Sequence, residues 1–140
     1  MRLDRTNTVR IAKECVMNRN DAIRAFASGY SMVRANLSNL DLRCVMMVEA
    51  KLTAADLSCA DLTGANLSRS DLSLSNLTRA KLRWVDLTYA DLTSADLYGA
   101  DLTRANLTGA NLTRTNLSFV TGLALPKGWV IGIDGIAHKK

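Results

Sequence analysis

Residues 85–119 read VDLTY ADLTS ADLYG ADLTR ANLTG ANLTR TNLSF. Written in fives, the stretch places Leu87, Leu92, Leu97, Leu102, Leu107, Leu112 and Leu117 at the centre of each unit. Followed toward the N-terminus, the register continues through Leu82, Leu77, Leu72, Leu67, Leu62, Leu57, Leu52, Met47, Leu42 and Leu37. That makes 17 consecutive units, of which 16 have Leu at the centre. Self-similarity at a fixed period is the signature of a repeat architecture.

The flanking columns are almost as regular. Two residues before the centre, 11 of 17 positions are Ala; one before, 14 of 17 are Asp or Asn; one after, 13 of 17 are Ser or Thr. The fifth column follows no rule, with Gly64, Arg69, Leu74, Trp84, Tyr89, Arg104 and Phe119 among its members. A helix does not accommodate this pattern, because residues five apart are rotated by about 140° and the Leu residues would wrap around every side. Asp, Asn, Ser and Thr also compete for the backbone inside helices. A flat strand fails because its pleat period is two, which would send alternate Leu residues to opposite faces. A period of five demands a turn in every unit, and Asp, Asn, Ser, Thr and Gly are the residues that turn without strain. The Leu and the residue two before it share a face. Both are therefore expected to point into a narrow all-β solenoid. The other three point outward, and successive coils stack at roughly 4.8 Å.

These columns are the signature of the pentapeptide-repeat family, which the chain resembles over residues 35–117. The resemblance implies a right-handed quadrilateral (four-sided) parallel β-helix with four pentapeptides per coil, so that residues 20 apart stack on one face. The unit Val45-Met46-Met47-Val48-Glu49 has no turn-former and is expected to form a bulged coil or a contact site.

The repeat is expected to span 33–119, between an N-terminal cap at 1–32 and an irregular C-terminal cap and tail at 120–140. In the first segment, Thr8 is expected to N-cap a helix through Met17, and Asp21 another through Ser28 with Gly29 as its stop. In the last, Gly122, Pro126, Gly128, Gly132 and Gly135 break the period. Leu125, Trp129, Ile131 and Ile133 there offer apolar surface to close the last coil. The run 125–129 followed by Asp134-Gly135 is similar to tails that close many family members. A family variant dimerises through this end, so the same four residues are also candidates for a homodimer contact.

The net charge is +5, and its excess lies at the ends. Residues 33–119 hold nine basic and nine acidic side chains. No stretch approaches the ~20 apolar residues of a membrane span, and Met1–Arg10 lacks the apolar core of a signal peptide. Cys15, Cys44 and Cys59 are odd in number and widely spaced, which fits neither a disulfide framework nor a zinc site. A soluble, cytoplasmic chain is the expectation.

His138 is the sole histidine and sits in a tail read as mobile, so no Ser/His or Cys/His pair can be assembled. Asp alternates with Asn in one column, which suits turn hydrogen bonds rather than acid–base work, for which a particular carboxylate is needed. No glycine motif cradles a phosphate. No enzymatic activity, cofactor or metal is therefore expected.

What remains is surface. On a coil of four units, Lys81, Arg83, Trp84 and Arg104 share a face, with Arg43 two coils away and Tyr89 at the neighbouring corner. A cation–π contact between Trp84 and Arg104 is expected, and an exposed Trp flanked by Arg is a hot-spot composition. The leading expectation is a non-enzymatic protein-binding or scaffold module. Two alternatives stand beside it. One is suggested by family members that resemble duplex DNA and bind a type II topoisomerase such as gyrase, protecting it from drugs. The other is direct nucleic-acid binding through the basic face and ends, with its steep salt dependence.

Overall fold

The computed structural model describes residues 18–140. The helix expected between Thr8 and Met17 lies outside the described residues, as does Cys15. Three named elements occur: helix α1 (Arg19–Ala27) and two short strands, β1 (Trp129–Ile131) and β2 (Ala137–Lys139). Between them runs a β-helix built entirely of five-residue units.

Parallel bridges join residues 20 apart at every fifth position, from Asn36↔Asp56 to Asp101↔Thr121. One coil is therefore 20 residues. Wherever a further coil follows, the units repeat the same bonds. The N–H of Leu37 donates to the carbonyl of Asp56 at 2.7 Å, and the N–H of Asp56 donates back to Ala35 at 2.9 Å. A turn closes each unit, as where the N–H of Ala95 donates to the Leu92 carbonyl at 2.9 Å.

The Asp/Asn column explains itself in these turns. All 14 of its Asp and Asn side chains accept from the N–H two residues on. This local bond suits a short polar side chain of either charge state. On the side that stacks Asn36, Asp56, Asn76, Asp96 and Asn116, amide and carboxylate alternate. There the Asn76 amide donates to Asp56 at 3.2 Å, and the Asn116 amide donates to Asp96 at 2.9 Å. Alternation separates like charges that coil stacking would otherwise place one strand spacing apart.

The core is the Leu column and the column two before it. Leu37 through Leu117 are each at most 3% exposed. Ser70, Ser75 and Thr115 replace Ala inside, and their hydroxyls donate to the carbonyls of Leu67, Leu72 and Leu92. No buried side-chain polar atom is left unpaired among the described residues.

Three expectations are corrected. The fifth column does have a rule: all 18 of its residues from Arg34 to Phe119 have positive φ, 15 of them without being Gly. Since the residue before each has negative φ, the turn matches type II geometry. The unit at Val45–Glu49 does not bulge: Met46 bridges Asn66, and Glu49 keeps φ at 59°. The N-cap of α1 is Asn18, not Asp21. The Asn18 side chain accepts from the Asp21 N–H at 3.0 Å, and Asp21 sits in the first turn, where an acid suits the helix dipole.

At the two ends, the chain meets the coils differently. Ala22 and Ala25 of α1 are buried, while Arg19 donates to the carbonyls of Asp41 (2.6 Å) and Arg43 (3.0 Å) in the first coil. At the other end, β1 and β2 pair antiparallel, Trp129 opposite Lys139. The β2 end then bonds the last coil, with Leu117 donating to Gly135 and Ala137 to Thr115. His138 lies within β2, opposite Val130, rather than in a free tail.

Candidate functional site

The outward turn column aims its side chains away from the coil on rigid, hydrogen-bonded backbone. Trp84 occupies it at φ 52° and is 49% exposed. Two guanidinium groups approach its indole: Arg83 at 5.0 Å from the ring centroid, and Arg104, from the next coil, at 6.0 Å. The expected Trp84–Arg104 contact is thus present, and Arg83 adds a second.

The remaining members of the patch separate. Lys81 reaches Asp61 at 3.5 Å, and Arg83 lies 3.9 Å from Asp101. Arg104 makes no ion pair among the described residues. Arg43 is held by Asp41 at 2.7 Å, within a cluster that Arg19 also joins at 3.1 Å. The Arg43 hydrogen bond holds the Asp41 carboxyl far below the usual range. The Thr103 hydroxyl and N–H lower Asp101, with Arg83 adding to the effect. Tyr89 is exposed one corner away, its ring lying over Gly109, where a Cβ would come within 2.5 Å of the ring. No ring contact joins Tyr89 to Trp84; the one aromatic pair among the described residues is Tyr98–Phe119, with centroids 5.2 Å apart.

That pair was missed in the sequence, although a signal was present. Tyr98 replaces Ser or Thr in its column, and Phe119 ends the vertical series Arg79, Gly99, Phe119 at 20-residue steps. Phe119 is the most exposed aromatic of the chain at 77%. The stem of Arg79 runs beside Gly99, where a Cβ would lie 3.6 Å from the Arg79 Cγ, an ordinary contact.

The four C-terminal candidates divide. Trp129 is buried and Leu125 packs partly buried against the core, while Ile131 and Ile133 are exposed. Lys139 sits 5.6 Å from the Trp129 ring.

Two hollows lie outside this patch. An apolar hollow of about 320 Å³ lies between α1 and the first coil, lined by Ile23, Phe26, Cys44, Val45, Met46 and Met47 among others. A second hollow, of about 550 Å³, lies by Trp129 and Lys139 and borders the last coil. The first holds Arg19 and the Cys44 thiol, and the second Lys127 and Lys139; neither gathers a carboxylate or an imidazole. Among the described residues no group of three His, Cys, Asp or Glu is placed to hold a metal, and no helix is long and apolar enough to cross a membrane. Asp134 faces His138 at 3.6 Å, but its main bond is to the Ile136 N–H, which lowers its pKa. That is a turn, not a catalytic pair.

The model of pentapeptide repeats matches residues 27–58, 55–93 and 80–118, with 8 copies. The chain belongs to the pentapeptide-repeat family. Among solved structures, this pentapeptide-repeat protein is similar to one from the cyanobacterium Cyanothece 51142, at 38% identity over 62% of this chain and 56% of that one, with a TM-score of 0.48. It is similar to another from the Arabidopsis thaliana thylakoid lumen, at 32% identity over 66% and 61%, with a TM-score of 0.49. A plasmid-mediated fluoroquinolone resistance protein, QnrB1, matches at 18% identity over 76% and 63%, with a TM-score of 0.27. The chain thus spans less than two thirds of the length of each of these three. No curated protein matches the sequence.

Proposed function

We propose that this pentapeptide-repeat protein is a non-enzymatic protein-binding or scaffold module. The observation that carries the reading is the exposed indole of Trp84 with the guanidinium groups of Arg83 and Arg104 both at its ring, on a hydrogen-bonded coil. Trp and Arg dominate binding hot spots because they bury much area and lose little conformational freedom when already held in place.

The scaffold in this proposal is a right-handed four-sided β-helix over 33–119. The segment 1–32 closes one end, with α1 as its described part, and 120–140 closes the other. Three contacts support closure: Arg19 on the first coil's carbonyls, the β2 end bonded to Thr115 and Leu117, and Trp129 buried beneath Lys139. Exposed parallel edges invite aggregation, which such closure prevents. The exposure of Ile131 and Ile133 leaves this end able to meet a second copy. The free, exposed thiols of Cys44 and Cys59 favour a reducing compartment, here the cytoplasm.

The topoisomerase reading needs a DNA-like, acidic rod, whereas residues 33–119 are balanced at nine charges of each sign. A supercoiling assay unaffected by the protein removes it. The binding reading is tested by affinity capture from nuclease-treated lysate with the tagged protein and its Trp84→Ala, Arg104→Ala form in parallel. A partner held by the first and lost by the second supports the reading; equal capture by both refutes the site.

A further inference from the structure

The coil length brings together more than the Trp84 cluster. Each side of the rod is bracketed by two turn columns. The side carrying 80–84 and 100–104 has Arg79, Gly99 and Phe119 along one margin, and Trp84 and Arg104 along the other. Tyr98 stands beside Phe119 on the first margin, in ring contact with it. Lys81, Arg83, Asp101 and Thr103 point outward between the two margins. No other side combines exposed aromatics on both margins with a cationic excess. The side at 85–89 and 105–109 carries Asp86 as its one charge. The side at 90–94 and 110–114 carries Asp91 against Arg114.

We infer that this side, from the Arg79–Phe119 margin to the Trp84–Arg104 margin, is a docking face for an acidic and apolar segment of another protein. The inference rests on the protein-binding reading and names the face and the partner's chemistry. Charge complementarity carries it. Arg79 and Arg104 have no carboxylate in ion-pair reach among the described residues, and Arg83 is only loosely held by Asp101 at 3.9 Å. These guanidinium groups are planar forks suited to carboxylates. The rings of Phe119, Tyr98 and Trp84 give an apolar neighbour somewhere to pack.

A nucleic-acid strand fits less well. A phosphate backbone presents closely and evenly spaced negative charge, which an unbroken run of cations would match. Here Asp61 and Asp101 are interleaved with Lys81 and Arg83. The hydroxyl and N–H of Thr103 favour ionised Asp101. At Asp61 partial burial opposes ionisation, and bonds from Thr63 and Lys81 overcome it. Fixed carboxylates of this kind repel a polyanion charged at every step, whereas an acidic segment with a few spaced carboxylates can set them against the guanidinium groups and its apolar residues elsewhere. Arg43, bound to Asp41, is not part of the face.

The test uses the full chain immobilised against a random-peptide display library, in parallel with an Arg83→Glu, Arg104→Glu form. Wild type is expected to enrich peptides that combine Asp or Glu with an aromatic or aliphatic residue. A synthesised winner should quench Trp84 fluorescence and bind the charge-reversed form about tenfold or more weakly, as loss of close charge pairs does. Phe119→Ala should weaken it by a smaller factor. Unchanged melting curves, expected since all three residues point outward, show that folding is not the cause. Acidic peptides indifferent to Arg104→Glu and Phe119→Ala would overturn the face and leave the protein-binding reading standing. Enrichment without acids would overturn the partner's chemistry. An oligothymidine bound more tightly than any peptide, with steep salt dependence, would transfer the face to nucleic acid, and no enrichment at all would remove both readings.

Discussion

The central Leu column and the turn column lie two residues apart in every unit, yet one is nearly uniform and the other looks unconstrained. At the centre, a narrow dry interior selects volume and shape, and 16 of 17 positions converge on Leu. At the turn, the constraint is on the backbone alone. All 18 turn residues are left-handed, and the side chain beyond Cβ points to solvent. Such a constraint acts by exclusion: the column contains no Val, Ile, Thr or Pro, although Thr abounds one position earlier. β-Branched residues and proline are the ones that positive φ penalises most. A column can therefore be strictly constrained in its backbone and still be free in its side chains, as Trp84 and Arg104 are.

The largest expected effect breaks the interior. Leu77→Asp puts a carboxylate where Leu77 is 0% exposed, with no partner nearby. Burial of an unpaired charge costs several kcal/mol, a large part of the ~5–15 kcal/mol that holds a domain together. Loss of the thermal transition is expected, and a melting point equal to that of Arg79→Ala would sink the inside–outside assignment.

Next comes the turn column itself. Ser94 has φ 56°. Ser94→Gly should hold or raise stability, while Ser94→Val should fall below it by about 1–2 kcal/mol, the penalty of left-handed backbone for a branched side chain. Denaturant titration of the pair reads this out. Equal midpoints would mean that the column tolerates anything, as the sequence first suggested.

A smaller effect tests the Asx stack one residue before the Leu column. Asn76→Asp removes the amide that donates to Asp56 and sets three carboxylates in a row with Asp96. Repulsion of about 1 kcal/mol is expected at neutral pH. Because repulsion exists only while the groups are ionised, the deficit should shrink as pH falls through the carboxylate range. A deficit independent of pH would mean that the lost hydrogen bond, not charge, is responsible.

The smallest effect concerns Asp71. Partial burial opposes its ionisation, but the Ser73 and Thr53 hydroxyls and the Ser73 N–H outweigh it and lower its pKa. A carboxylate lowered in the folded state adds stability above its unfolded pKa and loses it as pH falls through the folded one. Asp71→Asn should therefore flatten the acid limb of the stability curve by a few tenths of a kcal/mol at this part-exposed site. An unaltered limb would show that Asp71 contributes nothing.

The legible part of this protein was whatever the chain repeats. Leu77 and Ala80 could be assigned inward because 17 copies state the same local requirement. The Asp/Asn column could be assigned to turns because its bond spans two residues. The Trp84–Arg104 pairing was also readable, but only through the coil length that the family resemblance supplied. Arg19 was not readable: its partners, Asp41 and Arg43, are more than 20 residues away and outside the repeat's arithmetic. The sequence reading names Asp21 as N-cap, but Asn18 is as good a capping residue, and only the helix's actual first turn distinguishes them.

By itself the sequence determined the five-residue period, the two inward columns and the turn in each unit, since these follow from bonds and packing within a few residues. The tertiary structure decided the rest. A period of five does not state how many units close a coil. The bridges at 20 residues do, and with them which outward side chains become neighbours. That is why Arg79, Tyr98 and Phe119 join the face of Trp84 and Arg104 only when the chain is wound. Contacts between coils depend on winding, and winding is a property of the whole stack.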